Sequence, residues 1–241
     1  MLNPAINFFF YDGAKINLDG SNPTVNIRGQ NYTVITALNT VDQLRTLSTG
    51  GNMNGYYVLA VDINTWAPPG QTVNMLPIGT NSNPFNGMFE GFGHTINGMQ
   101  VNNSGNNTPT GMFGRIGENG FVRNLTISNP TVVGGTVDGV GALAGINNGG
   151  IEYVVIDGGS VTSSTNMTGG LVGFNNNISH PAQIFNSGST STVTIGNIEI
   201  GDSFESGEHF WHSSSSSDSS NIDWHERRSG YCLQFNEPIL E

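Results

Sequence analysis

The residues able to do acid–base chemistry are few and scattered. Five carboxylates, Asp62, Glu90, Glu118, Asp138 and Asp157, fall among glycine-rich stretches. Sugar cleavage, retaining or inverting, needs two carboxylates facing one ring about 5 to 9.5 Å apart. These five occupy unrelated places in the repeat described below, and Asp157 corresponds to Ser128 one unit earlier, so their spacing predicts neither an acidic ladder nor a pair. His94 follows Phe92-Gly93 with no His, Cys or acid at metal-ligand spacing, and reads as a turn histidine rather than a base or ligand. His209, His212 and His225 with Cys232 have the donor chemistry of a zinc site but match no finger spacing. Gly134 to Gly139 is similar to one calcium-binding nonapeptide, a unit that works only in consecutive copies. Ser164 and the run Ser213 to Ser217 lack the strand-to-helix turn that activates a serine. Six glycosylation sequons begin at Asn31, Asn102, Asn106, Asn124, Asn166 and Asn177, as chance provides in Asn-rich sequence. The sequence therefore nominates no catalytic, cofactor-binding or metal-ligating residue and implies no cofactor.

Composition narrows the elements that could carry such residues. Of 241 residues 34 are Gly, and only 10% are charged, against about 25% in ordinary globular domains. A hydrophobic share of 36% in short β-branched runs is enough to bury a core, so folded, β-rich structure is expected rather than disorder. The net charge is -11, and Lys15, Arg28, Arg45, Arg115, Arg123, Arg227 and Arg228 form no basic patch. This argues against nucleic acid and against an anionic membrane surface as partners. No stretch approaches the roughly 20 apolar residues that span a bilayer, and the run Phe8 to Tyr11 is too short, so no membrane insertion is expected. The first twenty residues lack a basic segment followed by an apolar one, so any export signal is expected outside this sequence. Cys232 stands alone and predicts no intrachain disulfide.

The informative pattern is internal similarity. Gly111-Met112-Phe113-Gly114, Ala142-Leu143-Ala144-Gly145 and Gly170-Leu171-Val172-Gly173 close on glycines separated by 31 and 28 residues. A second block accompanies the first two: Val122 to Ile127 and Ile151 to Ile156, offset by 29. Repeats of this length, made of short strands and Gly/Asn turns, are the coils of a β-helix, in which no turn buries its apolar face until others stack on it. Val122 matches Ile151, Leu125 matches Val154 and Ile127 matches Ile156, and the last two pairs should point inward on one strand. Three such side chains contribute about 4 to 9 kcal/mol per coil before chain entropy is subtracted. Asn147 and Asn175 follow the closing glycines at equivalent places. They fit either a hydrogen-bonded ladder along the solenoid axis or left-handed turns.

Upstream, Tyr56 to Ile63 and Phe85 to Gly98 read as strands broken by glycine, the entry coils. Thr40-Val41-Asp42-Gln43 has the form of a capping box before Leu44 and Leu47, predicting a helix over 41–48 that covers an otherwise open solenoid end or an edge strand. Short strands are expected near 5–10, 14–18, 24–28 and 32–36. From about Gly201 the repeat ends, and the tail collects three of the five His and two of the three Trp. Residues 205–241 are expected to be disordered or loosely attached, with a truncation or a shifted reading frame as their origin. The expected fold class is all-β: a right-handed parallel β-helix (β-solenoid) with one short N-terminal helix. The expected division is 1–50 for strands and capping helix, 51–200 for the coils, and 201–241 for the tail.

Phe85 to Gly98 resembles the F-x-G-x-F-x-G-x-G-H-T-I signature, and Gly111 to Gly114 with Gly170 to Gly173 resembles the G-L-F-G and G-L-V-G repeats called GLUG motifs. Tyr11 to Leu18 and Tyr56 to Leu59 match the sequences that accompany them. Over roughly residues 10–195 the chain is similar to an internal fragment of the filamentous-haemagglutinin-like adhesins, exoproteins exported by two-partner secretion. The resemblance implies a β-helix fibre on, or released from, a bacterial cell surface, with a host-cell surface or glycan receptor as partner. It also implies an outer-membrane secretion transporter for a longer parent, and a role in virulence. The amino-terminal secretion motif of the family is missing here. A carbohydrate-active β-helix enzyme, lyase or hydrolase, is the competing expectation.

Overall fold

The computed structural model describes residues 14–18, 23–36, 40–64, 66–67, 72–136, 139–164, 167–176 and 183–195, with the backbone of Ile222–His225 and Cys232–Phe235. Its body is a β-solenoid of about four turns, built from short strands that pair in parallel with their counterparts one coil away. One sheet runs through Gln30–Ile35, Tyr56–Leu59, Met88–Glu90, Phe121–Ser128, Gly150–Asp157 and Gln183–Phe185. A second joins Gln100–Asn102, Thr131–Val133, Ser160–Ser163 and Thr192–Ile195. A third stacks Phe113–Ile116, Ala144–Asn147 and Val172–Asn175.

The ladders put the expected partners in register. Val122 lies over Ile151, Leu125 over Val154 and Ile127 over Ile156. Because strand side chains alternate between faces, these registers extend into apolar columns through the whole stack. Tyr57, Phe89, Val122, Ile151 and Ile184 form one. Met75, Val101, Val132, Val161 and Val193 form another. In a third, Ile63, Ile96, Ile127 and Ile156 end on Ser189, so this column alone of the three turns polar at the last coil.

The three glycine-closed motifs coincide in space as well as in sequence. Phe113, Ala144 and Val172 share one column, which places Gly114, Gly145 and Gly173 over one another. A Cβ on Gly145 would collide with the backbone of Thr110 and Gly139 and with Pro109; on Gly173, with the backbone of Val140 and Gly139. The motif's last glycine is thus fixed by the approach of a neighbouring chain segment, not by a turn conformation.

Phe85 and Ile116 head a column that continues as Asn147 and Asn175. Asn147 is fully buried; its Nδ2 donates to Asn175 Oδ1 at 2.8 Å and its Oδ1 accepts from Gly149 N at 3.1 Å. Neither residue is among those with positive φ. Of the two readings open for this pair, the ladder is the one observed.

The N-terminal part departs from expectation in detail. Val25–Ile27 and Gln30–Ile35 form an antiparallel hairpin whose turn residues, Arg28 and Gly29, both have positive φ, the combination a tight two-residue hairpin requires. The expected strand at 14–18 is not one: this segment is irregular and is tied down by Ile16 N donating to Phe92 O and Leu18 N to Ala60 O. The segment at 5–10 lies outside the described residues. The helix spans Thr40–Gly50 and buries Leu44 and Leu47 beside Ile35 at the N-terminal end of the core. Gln43 Oε1 accepts from Thr36 N at 2.9 Å, tying helix to hairpin; the Thr40 side chain of the expected capping box lies outside the described residues. Most of the tail lies outside the described residues, and its described part is a two-stranded antiparallel pair with His225 opposite Cys232.

Candidate functional site

Five titratable groups, Lys15, Asp62, Glu90, His94 and Arg123, gather at one bend of the solenoid. The eight-residue strands Phe121–Ser128 and Gly150–Asp157 each turn sharply in mid-course, at Asn124 (φ 54°) and Tyr153 (φ 53°). The equivalent bends of the neighbouring coils fall at Phe92 (φ 51°) and Asn186 (φ 46°). Four non-glycine residues in left-handed conformation thus sit one coil apart, where two bear the Asn that this conformation favours. The bend turns backbone N–H groups and outward side chains toward each other instead of toward solvent.

Two networks occupy it. Glu90 is buried, although its strand position faces outward. Its Oε2 accepts from Arg123 Nε at 2.5 Å; its Oε1 accepts from Asn124 Nδ2 at 2.8 Å and from Phe92 N at 3.1 Å. Burial raises the Glu90 carboxyl above its ordinary range, against the pull of Arg123 and of these N–H donors. On the other side, His94 is completely buried, with Nδ1 3.1 Å from Asp62 Oδ1 and Nε2 2.8 Å from Ile16 O. Asp62 also accepts from Thr95 N at 2.8 Å and from Lys15 Nζ at 2.8 and 2.7 Å. Partial burial raises the Asp62 carboxyl, but the bonds from Lys15, Thr95 and His94 together outweigh it and hold it below the usual carboxylate range.

These contacts give His94 an acidic partner that its sequence spacing did not show. The partner is Asp62, 32 residues upstream and one coil away. The two acids at the bend are each consumed by a cation of their own, Glu90 by Arg123 and Asp62 by Lys15. Arg123, Asn124 and Lys15 were not singled out as a group in the sequence; a separation of one coil length, 33 residues for Glu90 to Arg123, was the available signal.

The remaining nominated residues lie apart. Asp157 pairs in register with Ser128, as the repeat predicts. Glu118 lies on an exposed turn bordering a polar hollow. Asp138, His209, His212, Asn166 and Asn177 lie outside the described residues. Gly134, Gly135 and Ser164 line a second, shallow hollow of about 280 Å³ with Ser104 and Thr136. Among the described residues no three of His, Cys, Asp and Glu gather as a metal-binding group. The sequons at Asn31, Asn102 and Asn106 are exposed, whereas Asn124 is buried against Glu90 and cannot accept a glycan in the folded chain. Among the described residues no helix is long and apolar enough to cross a membrane.

Two curated proteins resemble part of this chain. A protein of Evansella cellulosilytica described as a Gly-rich membrane protein is 39% identical over 110 residues, covering 43% of this chain and 12% of its own length. Halomucin of Haloquadratum walsbyi is 37% identical over 89 residues, covering 37% of this chain and 1% of its own length. The chain therefore matches a small fraction of much longer relatives. No family model matches, and no solved structure does.

Proposed function

We propose that this chain is a non-catalytic attachment module: a secreted or surface-displayed β-solenoid whose outer face meets a host or neighbouring surface. The observation that carries the reading is how its charges are used. At the bend, Glu90 and Asp62 are turned into internal ion pairs that hold the coils and the N-terminal segment together. A hydrolytic centre needs carboxylates free to face a sugar. The outward rows instead offer amides, hydroxyls and half-buried rings, with Tyr32 and Tyr56 edge to face at 5.4 Å.

Two further facts support a surface role. The relatives carry the names of a membrane protein and of halomucin, and the motifs of residues 85–98 and 111–173 resemble those of filamentous-haemagglutinin-like adhesins. On that resemblance the chain belongs to a longer exoprotein exported through an outer-membrane transporter. A transporter gene beside the parent reading frame tests this point.

The test of attachment is retention of protein-coated beads on cell and polysaccharide surfaces, run beside an assay for new reducing ends or unsaturated products. Retention without product is expected. Product formation would establish the competing enzyme reading instead.

A further inference from the structure

The corner between the third sheet and the first carries an arrangement that the repeat pattern alone does not reveal. The carbonyls of Gly55, Gly87, Gly120 and Gly149 accept hydrogen bonds from Met88, Phe121, Gly150 and Gln183, each one coil on. These glycines therefore form one column, and each is preceded by asparagine: Asn54, Asn86, Asn119 and Asn148. The coils differ in one respect. Between the register positions Phe85 and Met88, and again between Asn147 and Gly150, the chain spends only Asn-Gly. Between Ile116 and Phe121 it spends Gly117-Glu118-Asn119-Gly120, closed by Gly120 N donating to Gly117 O at 2.8 Å.

The two extra residues make a projecting turn, and Gly117 stands where the flanking coils have Asn86 and Asn148. A side chain at Gly117 would run into Asn86 Oδ1. The result is a hollow of about 350 Å³ lined by Asn81, Asn86, Arg115, Glu118, Asn119 and Asn148. Its far wall is braced by Arg115 Nε donating to Asn148 Oδ1 at 3.2 Å.

We infer that this hollow binds one sugar residue of a neutral glycan. A carboxamide both donates and accepts, as a hydroxyl does. Arg115 holds the oxygens of Asn148 and Asn81 and Pro84 O holds Asn86 Nδ2, so the amides are fixed in place around the gap, with Asn119 the one best placed to meet a ring hydroxyl in both senses. Arg115 and Glu118 balance, so the lining carries no net charge to select an ion, and the chain's charge of -11 opposes polyanions. The size is at the lower end of the range for small-ligand sites, suited to a single ring rather than to a folded partner. The column of amides continues from the hollow to Asn54 along the solenoid axis, the direction in which a polysaccharide would continue. The inference rests on the attachment reading and adds the place and the ligand class.

The experiment is binding of the full chain to immobilised neutral glucan, mannan and galactan, with hyaluronate and heparin as acidic polymers. Asn119→Ala and Arg115→Ala are compared with Thr131→Ala, an exposed position on another sheet, with thermal melts confirming that each folds. Binding to at least one neutral polymer is expected, weakened about tenfold by either corner substitution and unchanged in Thr131→Ala. A neutral polymer held equally by all variants would overturn the site. Binding to acidic polymers alone would overturn the ligand class, as would cell-surface retention without any glycan binding; both leave the attachment reading standing. Absence of retention on every surface would remove the attachment reading itself.

Discussion

Single residues in this chain are fixed by what their neighbours one coil away leave room for. Gly145 is the clearest case: an added methyl meets backbone on two sides, so no flexible group can give way. Gly145→Ala is expected to cost about 3 kcal/mol, at the upper end of overpacking penalties, read as a lower urea midpoint at unchanged slope. Asn124 has two separable roles, a left-handed backbone and a bond to Glu90 Oε1. Asn124→Gly loses only the bond and is expected to cost about 1 to 2 kcal/mol. Asn124→Ala loses the same bond and keeps a Cβ in the left-handed region without the side-chain amide that lets Asn tolerate it, and is expected to cost about 1 kcal/mol more than Asn124→Gly. Equal losses in the two variants would show that the conformation carries no weight. The glycines were legible from sequence because they recur in a motif. The left-handed Phe92 and Tyr153 were not, because neither residue type announces that conformation.

At the level of elements, the irregular segment 14–18 is held to the bend by Lys15, Ile16 and Leu18 rather than by strand pairing. His94 is central to that attachment, with one ring nitrogen on Asp62 and the other on Ile16 O. Replacing it by Leu removes both contacts and leaves the part-buried Ile16 carbonyl without its donor, a loss of about 1 to 2 kcal/mol. Faster amide exchange confined to Ile16 and Leu18 would be its local signature. Asp62 gives the same contact a pH dependence. Its carboxyl is held below the ordinary value of 3.8, so its contribution is complete above that value and is lost as pH falls through the lowered one. The stability difference between wild type and Asp62→Asn should therefore shrink on acidification below pH 3.8. A difference that stays constant across this range would contradict the role assigned to Lys15 and His94. The sequence indicated the helix here and two of the three short strands expected on described residues, the one at 14–18 being absent. It did not indicate the polar bend, because its members lie a full coil apart and look isolated when read along the chain.

For the molecule as a whole, stability resides in columns that no coil completes alone. The matching of Val122 to Ile151 and of Ile127 to Ile156 was readable from a 29-residue offset, because stacked parallel strands preserve side-chain alternation. Upstream coils were harder to read: Tyr57 to Phe89 and Phe89 to Val122 are separated by 32 and 33 residues, and the loops between them share little sequence. The corner hollow escaped notice for a related reason, since it comes from a two-residue difference between coils rather than from a motif. All of these readings depend on the vertical register of the stack. Methyl-labelled protein tests it directly, through NOEs between the side chains of Leu125 and Val154 and between those of Ile127 and Ile156. Strong cross-peaks for both pairs are the predicted result. Their absence, with Leu125 and Ile127 contacting residues outside the adjacent coils, would contradict the solenoid and with it the placement of every site described above.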